Sequence, residues 1–217
     1  MSFYTPEQDA DGLRPGSKGK DGLPRVLLIG DSISTGYTKP VKMILQDVCS
    51  IQRPDVNCGD TARGLDRIDA WLGEQIWDLI HFNWGLHDLC YRHPDSEVYG
   101  CRDKVKGTIS VDIETYRENL QRLTKRMTQS ARRLVWASTT YVPEAEAGRY
   151  QGDEIRYNSC AAEIMDRFDI PTNDLHALTE SFPASMFVRP GDVHYTKEGY
   201  REIARVVAAC IRKHILA

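Results

Sequence analysis

Two segments far apart in the chain carry side chains that together could perform nucleophilic catalysis. Ser32 follows an apolar run near the start, and Asp192 and His194 lie near the other end. A serine hydroxyl is a weak nucleophile until a base takes its proton, and histidine is the commonest such base. A carboxylate in contact with the histidine fixes its tautomer and stabilises the imidazolium that forms. These residue types indicate acyl transfer through a covalent intermediate, if the fold brings them together.

The segment before Ser32 predicts where the nucleophile lies. Residues 26–29 form a continuous apolar run rich in branched side chains, which is typical of a strand buried on both faces in a parallel sheet. Gly30 ends the run, and a helix is predicted after it. Open α/β sheets bind their ligands at the carboxyl ends of such strands. Alternatively, Asp31 or Ser32 only caps the helix that follows.

Apolar periodicity along the rest of the chain predicts strands alternating with helices, without internal repeats. Such alternation predicts a parallel sheet covered by helices on both faces and connected by right-handed crossovers. The predicted strands cover residues 26–29, 56–61, 79–82, 133–140 and 170–173. Helices are predicted around residues 41–49, 65–72, 113–127 and 154–168. A short helix is predicted to end at residue 182, and the last helix to begin at the capping Thr196. Two long polar loops are predicted at residues 89–110 and 141–153.

The turn after the first strand resembles block I of the SGNH (GDSL) hydrolase family, with Gly30-Asp31-Ser32-Ile33 in place of Gly-Asp-Ser-Leu. The resemblance implies that Ser32 is the nucleophile.

The segment at residues 189–200 resembles block V of the same family, which carries an acid and a histidine just before the final helix. His194 would be the base. The family spaces the two as Asp-x-x-His, but here Gly191 is three residues before His194 and Asp192 is two before it. Three groups could therefore orient the His194 ring: Asp192 after a local backbone shift, a backbone carbonyl, or an acid from another part of the chain.

Two further segments resemble the blocks that form the oxyanion hole. Residues 57–61 resemble block II, where the N–H of the glycine, here Gly59, donates to the oxyanion together with the Ser32 N–H. Residues 85–88 resemble block III, Gly-x-Asn-Asp, with His87 in place of the asparagine. A histidine can also donate an N–H. Asn83 is the alternative donor.

The candidate substrate-binding residues lie beside these blocks. They are Asp31, Trp84, Tyr91 and Arg92, the last two in the long polar loop. Aromatic rings and arginines suit a polar, ring-shaped or anionic acyl carrier such as a sugar, although they could equally serve only to hold the loop in place.

The resemblance covers nearly the whole chain from Val26 onward, and it implies the fold of the family. This is the flavodoxin-like α/β fold of SGNH hydrolases, a three-layer α/β/α sandwich with a central parallel sheet of about five strands. Residues 1–24 are interpreted as an irregular arm and residues 25–217 as a single domain. The family requires no metal and no cofactor.

Composition sets further limits on the function. The 217 residues are 41% hydrophobic and 27% charged, as in ordinary globular domains, and the formal net charge of −3 disfavours a nucleic-acid surface. No apolar run approaches the roughly 20 residues of a membrane helix. The polar start has no signal-peptide core, which leaves a cytoplasmic location or export after signal removal open. Cys90 and Cys101 border a polar loop and could be bridged.

The sequence therefore predicts a serine esterase that removes small acyl groups, above all acetyl, from a carbohydrate or another small-molecule ester. The alternatives within the family are a thioesterase or a lysophospholipase, and a relative that still binds carbohydrate after losing turnover. A nucleotide- or flavin-binding domain is disfavoured, because the first loop has no glycine-rich phosphate cradle.

Overall fold

The computed structural model describes residues 22–216, in which helices cover both faces of a central parallel sheet. The strands are β1 (Arg25–Ile29), β2 (Ser50–Gln52), β3 (Leu79–Phe82), β4 (Tyr91–Arg92), β5 (Thr108–Ile109), β6 (Leu134–Ala137) and β7 (Thr172–Asn173). The helices are α1 (Ser32–Ile44), α2 (Thr61–Leu72), α3 (Ile113–Thr128), α4 (Asp153–Arg167), α5 (Leu175–Glu180) and α6 (Lys197–Leu216). Of the predicted arm at residues 1–24, only residues 22–24 lie within the described part.

The central sheet has five strands in the order β2-β1-β3-β6-β7, all parallel. The chain moves one way from β1 to β2 and the other way through β3, β6 and β7. Because right-handed crossovers in opposite directions place their helices on opposite faces, α1 is separated from α2, α3 and α4. The packing agrees, since α1 contacts α6, α2 contacts α3, and α3 contacts α4. The predicted three-layer sandwich is confirmed.

The apolar runs form the centre of the sheet. Every residue of β3 and β6 is buried, as are Val26 to Ile29 of β1. The strand order reverses between β1 and β3, so the crevice for a ligand is expected outside their carboxyl ends. That crevice lies where Ser32 follows β1 and His87 follows β3.

The second strand lies earlier than predicted. It is Ser50–Gln52, whereas residues 56–61 form the turn that leads into α2. The Asn57 side chain accepts a hydrogen bond from the Gly59 N–H at 2.9 Å. This bond forms a local turn in place of hydrogen bonds to a neighbouring strand. The prediction of a strand at residues 56–61 is wrong for this reason.

The helix predicted after Gly30 begins at Ser32 and ends at Ile44, before the end expected near residue 49. Its polar first half is stabilised by packing on α6: a Cβ at Gly36 would lie 2.2 Å from the ring of Tyr200. Cys49 therefore lies outside a helix, and it is buried.

The predicted long loop at residues 89–110 contains the antiparallel pair β4–β5 and docks on the second loop. The Tyr91 N–H donates to the Gly148 carbonyl at 2.7 Å, and the Lys104 N–H donates to the Ala147 carbonyl at 2.9 Å. Cys90 and Cys101 are free thiols in this unit.

No helix within residues 22–216 combines the length and the apolar character that a membrane crossing requires.

Candidate active site

The turn between β1 and α1 presents Ser32 at the carboxyl edge of the sheet. Asp31 caps α1, because its carboxylate accepts the Ile33 N–H at 2.9 Å. Ser32 is then the first residue of the helix, and its N–H has no acceptor within α1. A Cβ at Gly30 would lie 2.9 Å from the Ser34 Cβ, which explains why this tight turn carries glycine. The turn leaves both the hydroxyl and the N–H of Ser32 available to a substrate.

The segment before α6 brings His194 to the serine. The Ser32 Oγ lies 2.8 Å from the His194 Nε2, although the residues are 162 positions apart. Buried Val193 and Tyr195 flank the histidine, and the Val188 N–H donates to the His194 carbonyl at 3.0 Å. The histidine is therefore held by main-chain pairing and by two buried neighbours.

Asp192 orients the imidazole directly. Its Oδ1 lies 2.7 Å from the His194 Nδ1 and also accepts the His194 main-chain N–H at 3.0 Å. Burial acts to raise the pKa of Asp192, but the hydrogen bonds from His194 and the charge of His194 hold this pKa below its usual value. The charge of Arg189, whose Nε lies 3.2 Å from the Asp192 Oδ2, also lowers it. An ionised carboxylate at Nδ1 places the proton there and leaves the Nε2 lone pair toward Ser32.

Gly191 explains the shortened acid–histidine spacing. Its φ is +73°, a conformation that L side chains rarely adopt, and an added Cβ would lie 2.4 Å from the Ala145 carbonyl oxygen. No acid fits at this position, and the local turn that Gly191 permits directs Asp192 toward the ring.

The environment of His87, after β3, keeps its ring neutral. Burial lowers the pKa of His87 to about 4; Asp31 opposes this shift, and Arg149 and Arg92 add to it. Within residues 22–216, no hydrogen bond is made by either ring nitrogen. A neutral imidazole with an uncommitted N–H can donate to an oxyanion.

The two other predicted oxyanion donors are engaged elsewhere. The Gly59 N–H donates to the Asn57 side chain, as described above. The Asn83 side-chain amide donates to the Ala137 carbonyl at 2.7 Å, which ties the end of β3 to β6. Both groups therefore have an acceptor within the protein, and the Asn83 amide nitrogen also lies 3.5 Å from the Thr139 hydroxyl. Their roles as oxyanion donors stay predictions.

Two predicted substrate-binding residues are buried. Asp31 is 2% exposed and serves as the helix cap, so the alternative interpretation of this residue holds. Trp84 is 0% exposed and packs near Phe82 and Gly64 in the core. Neither side chain reaches the surface, so their burial does not favour a contact with substrate.

Tyr91 and Arg92 are partly exposed on β4, as surface contacts would require. The Tyr91 ring packs edge-on against Tyr150 of the second loop, with the ring centres 5.4 Å apart. The Arg92 guanidinium donates to the Gly100 carbonyl. The two loops therefore pack on each other at Tyr91, and the charge of Arg92 influences His87.

Asp88 is a buried carboxylate beneath the site. Its Oδ1 accepts the Thr61 N–H at 2.8 Å and the Thr61 hydroxyl at 2.6 Å. Its Oδ2 is buried and has no hydrogen-bond partner in the described part of the chain. Burial raises the pKa of Asp88 to about 8, against the lowering effect of the bonds from Thr61. Asp88 therefore anchors the His87 segment to the start of α2.

A buried ion-pair cluster joins the two loops, and sequence reasoning missed it. Glu146 is 0% exposed, and its Oε1 lies 2.9 Å from Arg149 and 2.7 Å from Arg102 of the other loop. The Arg149 Nε also donates to the Leu86 carbonyl at 2.6 Å. The Glu-x-x-Arg spacing in a polar loop was the only signal in the sequence, and it does not reveal burial.

Within residues 22–216, no group of three or more His, Cys, Asp or Glu side chains could hold a metal ion. The arrangement instead can move a proton from the Ser32 hydroxyl to His194.

Comparison with solved structures extends the description of the fold. The acetyl xylan esterase AlAXEase aligns with a TM-score of 0.68 and 15% identity, over 86% of this chain and 99% of the esterase. The lipase/acylhydrolase from Enterococcus faecalis aligns with a TM-score of 0.66 and 18% identity, over 88% of this chain and 96% of the acylhydrolase. The chain shares its fold with these proteins. The acetylxylan esterase Axe2 from Geobacillus stearothermophilus also aligns, with a TM-score of 0.64 and 16% identity, over 88% of this chain and 94% of Axe2.

No family model and no curated protein matches the sequence.

Proposed function

We propose that the protein is a serine esterase in which Ser32, His194 and Asp192 form the catalytic triad. The observation that carries this proposal is the continuous hydrogen-bonded line from the Ser32 Oγ to the His194 Nε2 at 2.8 Å and from the His194 Nδ1 to Asp192 at 2.7 Å. Both distances lie in the range required for proton transfer and for orienting the base.

The reaction proceeds in two halves. His194 Nε2 takes the hydroxyl proton as the Ser32 Oγ attacks the ester carbonyl carbon, and Asp192 stabilises the imidazolium. The same proton passes to the leaving alkoxide when the C–O bond of the ester breaks, which leaves an acyl group on Ser32. A water molecule then gives its proton to His194 and attacks the acyl carbon, and Ser32 recovers a proton as the carboxylic acid departs.

Two donors face the oxyanion in this proposal. The Ser32 N–H lies at the N-terminus of α1, where the helix dipole also favours negative charge. The His87 ring supplies the second N–H, in the place of the asparagine of block III. Its neutrality at ordinary pH follows from the pKa of about 4.

The substrate class that the structure supports best is a small acyl ester on a polar carrier, above all an acetylated sugar. Two of the similar structures are acetyl xylan esterases, and Tyr91 and Arg92 offer an aromatic ring and a cation on β4.

The deciding experiment is covalent labelling of the purified protein by a serine-directed phosphonate, followed by peptide mass spectrometry. We expect one label, on Ser32, and loss of acetyl-ester turnover in Ser32→Ala. Ser159→Ala, which removes an exposed hydroxyl on α4, is the matched control. This variant should still be labelled on Ser32 and should keep its activity. A label elsewhere, or full activity in Ser32→Ala, would refute the assignment.

Hydrolysis of longer acyl esters or thioesters is the second candidate. It is favoured by the likeness to a lipase/acylhydrolase and by Tyr99 and Val105, which are 91% and 82% exposed on the loop at residues 89–110. Turnover measured from acetyl to dodecanoyl esters and thioesters separates the two candidates. A maximum at acetyl supports the first, and a maximum at the long chains supports the second. Binding of acetylated sugars without turnover would indicate a relative that has lost catalysis.

A further inference from the structure

The segment that carries His87 is held on both sides by bonds from distant parts of the chain. On one side, the Asp88 carboxylate accepts two hydrogen bonds from Thr61 at the start of α2. On the other side, the Leu86 carbonyl accepts the Arg149 Nε–H at 2.6 Å. The residues before and after His87 are both buried, whereas His87 itself is partly exposed. The main-chain position of His87 therefore depends on Thr61 and Arg149.

Arg149 is itself fixed by Glu146. The guanidinium NH1 lies 2.9 Å from the Glu146 Oε1, and the Glu146 Oε2 accepts the Gly148 N–H at 2.6 Å. The side chains of Arg149 and Glu146 are 5% and 0% exposed. A planar guanidinium can direct Nε toward one acceptor and a terminal nitrogen toward another, which the single ammonium of lysine cannot reproduce. Arg149 is thus a rigid bridge between a buried carboxylate and the His87 segment.

Charged groups from four segments face the His87 ring. Asp31 in the turn between β1 and α1 and Asp60 at the cap of α2 favour the protonated ring. Arg149 and Arg92 favour the neutral ring. Arg149 differs from Arg92 because it is buried, so its charge is less screened by solvent. The same side chain that holds the Leu86 carbonyl therefore also opposes protonation of His87.

We propose that Arg149 is a positioning residue for His87, which it holds in place through the Leu86 carbonyl. The catalytic consequence rests on the proposed role of His87 as an oxyanion donor. An oxyanion donor acts only where negative charge develops, so a displaced His87 lowers turnover and leaves substrate binding nearly unchanged. Arg149 acts through His87 and needs no contact with the substrate.

The chain offers a matched control in Arg102. Arg102 and Arg149 pair with the same Oε1 atom of Glu146, at 2.7 and 2.9 Å, with side chains 14% and 5% exposed. The Arg102 guanidinium also donates to the Tyr99 carbonyl, far along the chain from the His87 segment. Replacement of either arginine removes one cation from Glu146, but only replacement of Arg149 removes the bond to Leu86.

The kinetic arm compares Arg149→Gln, Arg149→Lys and Arg102→Gln on an activated acetyl ester. We expect both Arg149 variants to lower kcat by about 10-fold or more with KM within about 2-fold, because positioning of the donor is lost. Arg102→Gln should keep kcat within about 3-fold, even where its thermal unfolding midpoint falls as much as that of Arg149→Gln. Equal kcat losses in the Arg102 and Arg149 variants, or none in either, would overturn the proposal.

A second arm follows the His87 ring itself by NMR titration of imidazole-labelled protein, with the signal assigned by its absence in His87→Asn. We expect Arg149→Gln to shift the His87 resonance and raise its pKa, while Arg102→Gln leaves both unchanged. Arg149→Lys should keep the low pKa and still shift the resonance, because the charge remains and the bond to Leu86 is lost. An unchanged His87 resonance in Arg149→Gln would refute the proposal.

This second arm does not depend on esterase activity, so it separates two kinds of failure. If Ser32→Ala shows that the proposed reaction is wrong, the response of the His87 ring still decides whether Arg149 positions it. If the esterase is real and His87→Ala retains full turnover, the catalytic consequence of the proposal is overturned.

Discussion

Two segments at the carboxyl edge of the sheet each carry an aspartate close to a histidine, and the two pairs are arranged in opposite ways. Before α6, Asp192 accepts hydrogen bonds from both the ring and the main chain of His194. After β3, Asp88 turns away from His87 and accepts both of its bonds from Thr61. The first histidine is therefore paired with a carboxylate, whereas within residues 22–216 no carboxylate forms an ion pair with the second.

The donors that reach each carboxylate decide its chemistry. Hydrogen bonds from His194 outweigh burial and hold the pKa of Asp192 low, whereas burial of Asp88 outweighs the bonds from Thr61 and raises its pKa to about 8. Asp192 is thus suited to stabilise an imidazolium. Asp88 is suited to anchor a segment, and it leaves His87 as a neutral donor. Proximity in sequence alone does not distinguish these roles.

The largest expected effect comes from Asp192→Asn. An amide in this position favours the wrong tautomer of His194, so we expect turnover to fall by about 10,000-fold, the scale known for a protease triad. Steady-state kinetics on an activated acetyl ester measures the loss, and circular dichroism should show an unchanged fold. A loss of less than about 10-fold would mean that His194 is oriented by something other than Asp192.

His87→Ala should have the next largest effect. Removal of one oxyanion donor costs on the order of 100- to 1,000-fold in turnover, with little change in KM. His87→Asn should recover part of the rate, because it supplies a side-chain N–H of similar reach. Near-full turnover in His87→Ala would show that the ring is not a donor.

Gly191→Asp tests why the acid lies at position 192. This change restores the spacing Asp-x-x-His, but the positive φ and the Ala145 carbonyl oppose any side chain there. We expect a stability loss of about 1–3 kcal/mol in urea unfolding. Turnover should fall about 10-fold because the neighbouring Asp192 is displaced.

The double variant Gly191→Asp with Asp192→Asn gives the sharper result. It should be as inactive as Asp192→Asn alone. Rescue of turnover in the double variant would show that position 191 can supply the acid after all.

Asp88→Asn should leave turnover nearly unchanged and alter the pH dependence of stability instead. The folded protein keeps Asp88 protonated up to about pH 8, whereas the unfolded chain ionises it near 3.8. Stability therefore falls as pH rises through this window, and the loss is complete above pH 8. The asparagine removes this loss, since it carries no charge at any pH.

Urea unfolding of the Asp88→Asn and native proteins at pH 5 and pH 8.5 measures the difference. The variant should gain at least about 1 kcal/mol relative to the native protein between the two pH values, since one pKa unit corresponds to about 1.4 kcal/mol. A constant difference between the two proteins would mean that Asp88 is ionised in the fold throughout.

Much of the fold followed from local patterns. The apolar runs at β1, β3 and β6 predicted buried parallel strands, and the alternation with helices predicted the layered sheet, because periodicity records which face of each element is buried. The pattern failed at β2 and at the end of α1, which stops at Ile44. The short edge strand β2 depends on a partner distant in sequence, β1, and the polar first half of α1 packs on α6.

The sequence by itself determined which residues could do the chemistry: the serine after the first strand, the histidine before the last helix, and the unusual histidine after β3. It could not show that Asp192 contacts His194, that Gly59 and Asn83 have acceptors within the protein, or that Asp31 and Trp84 are buried. Side-chain direction and burial are set by contacts across the fold. The Glu146 cluster shows the same limit. Only the tertiary structure brings a buried carboxylate together with two arginines from separate loops, and one of them, Arg149, holds the segment that carries His87.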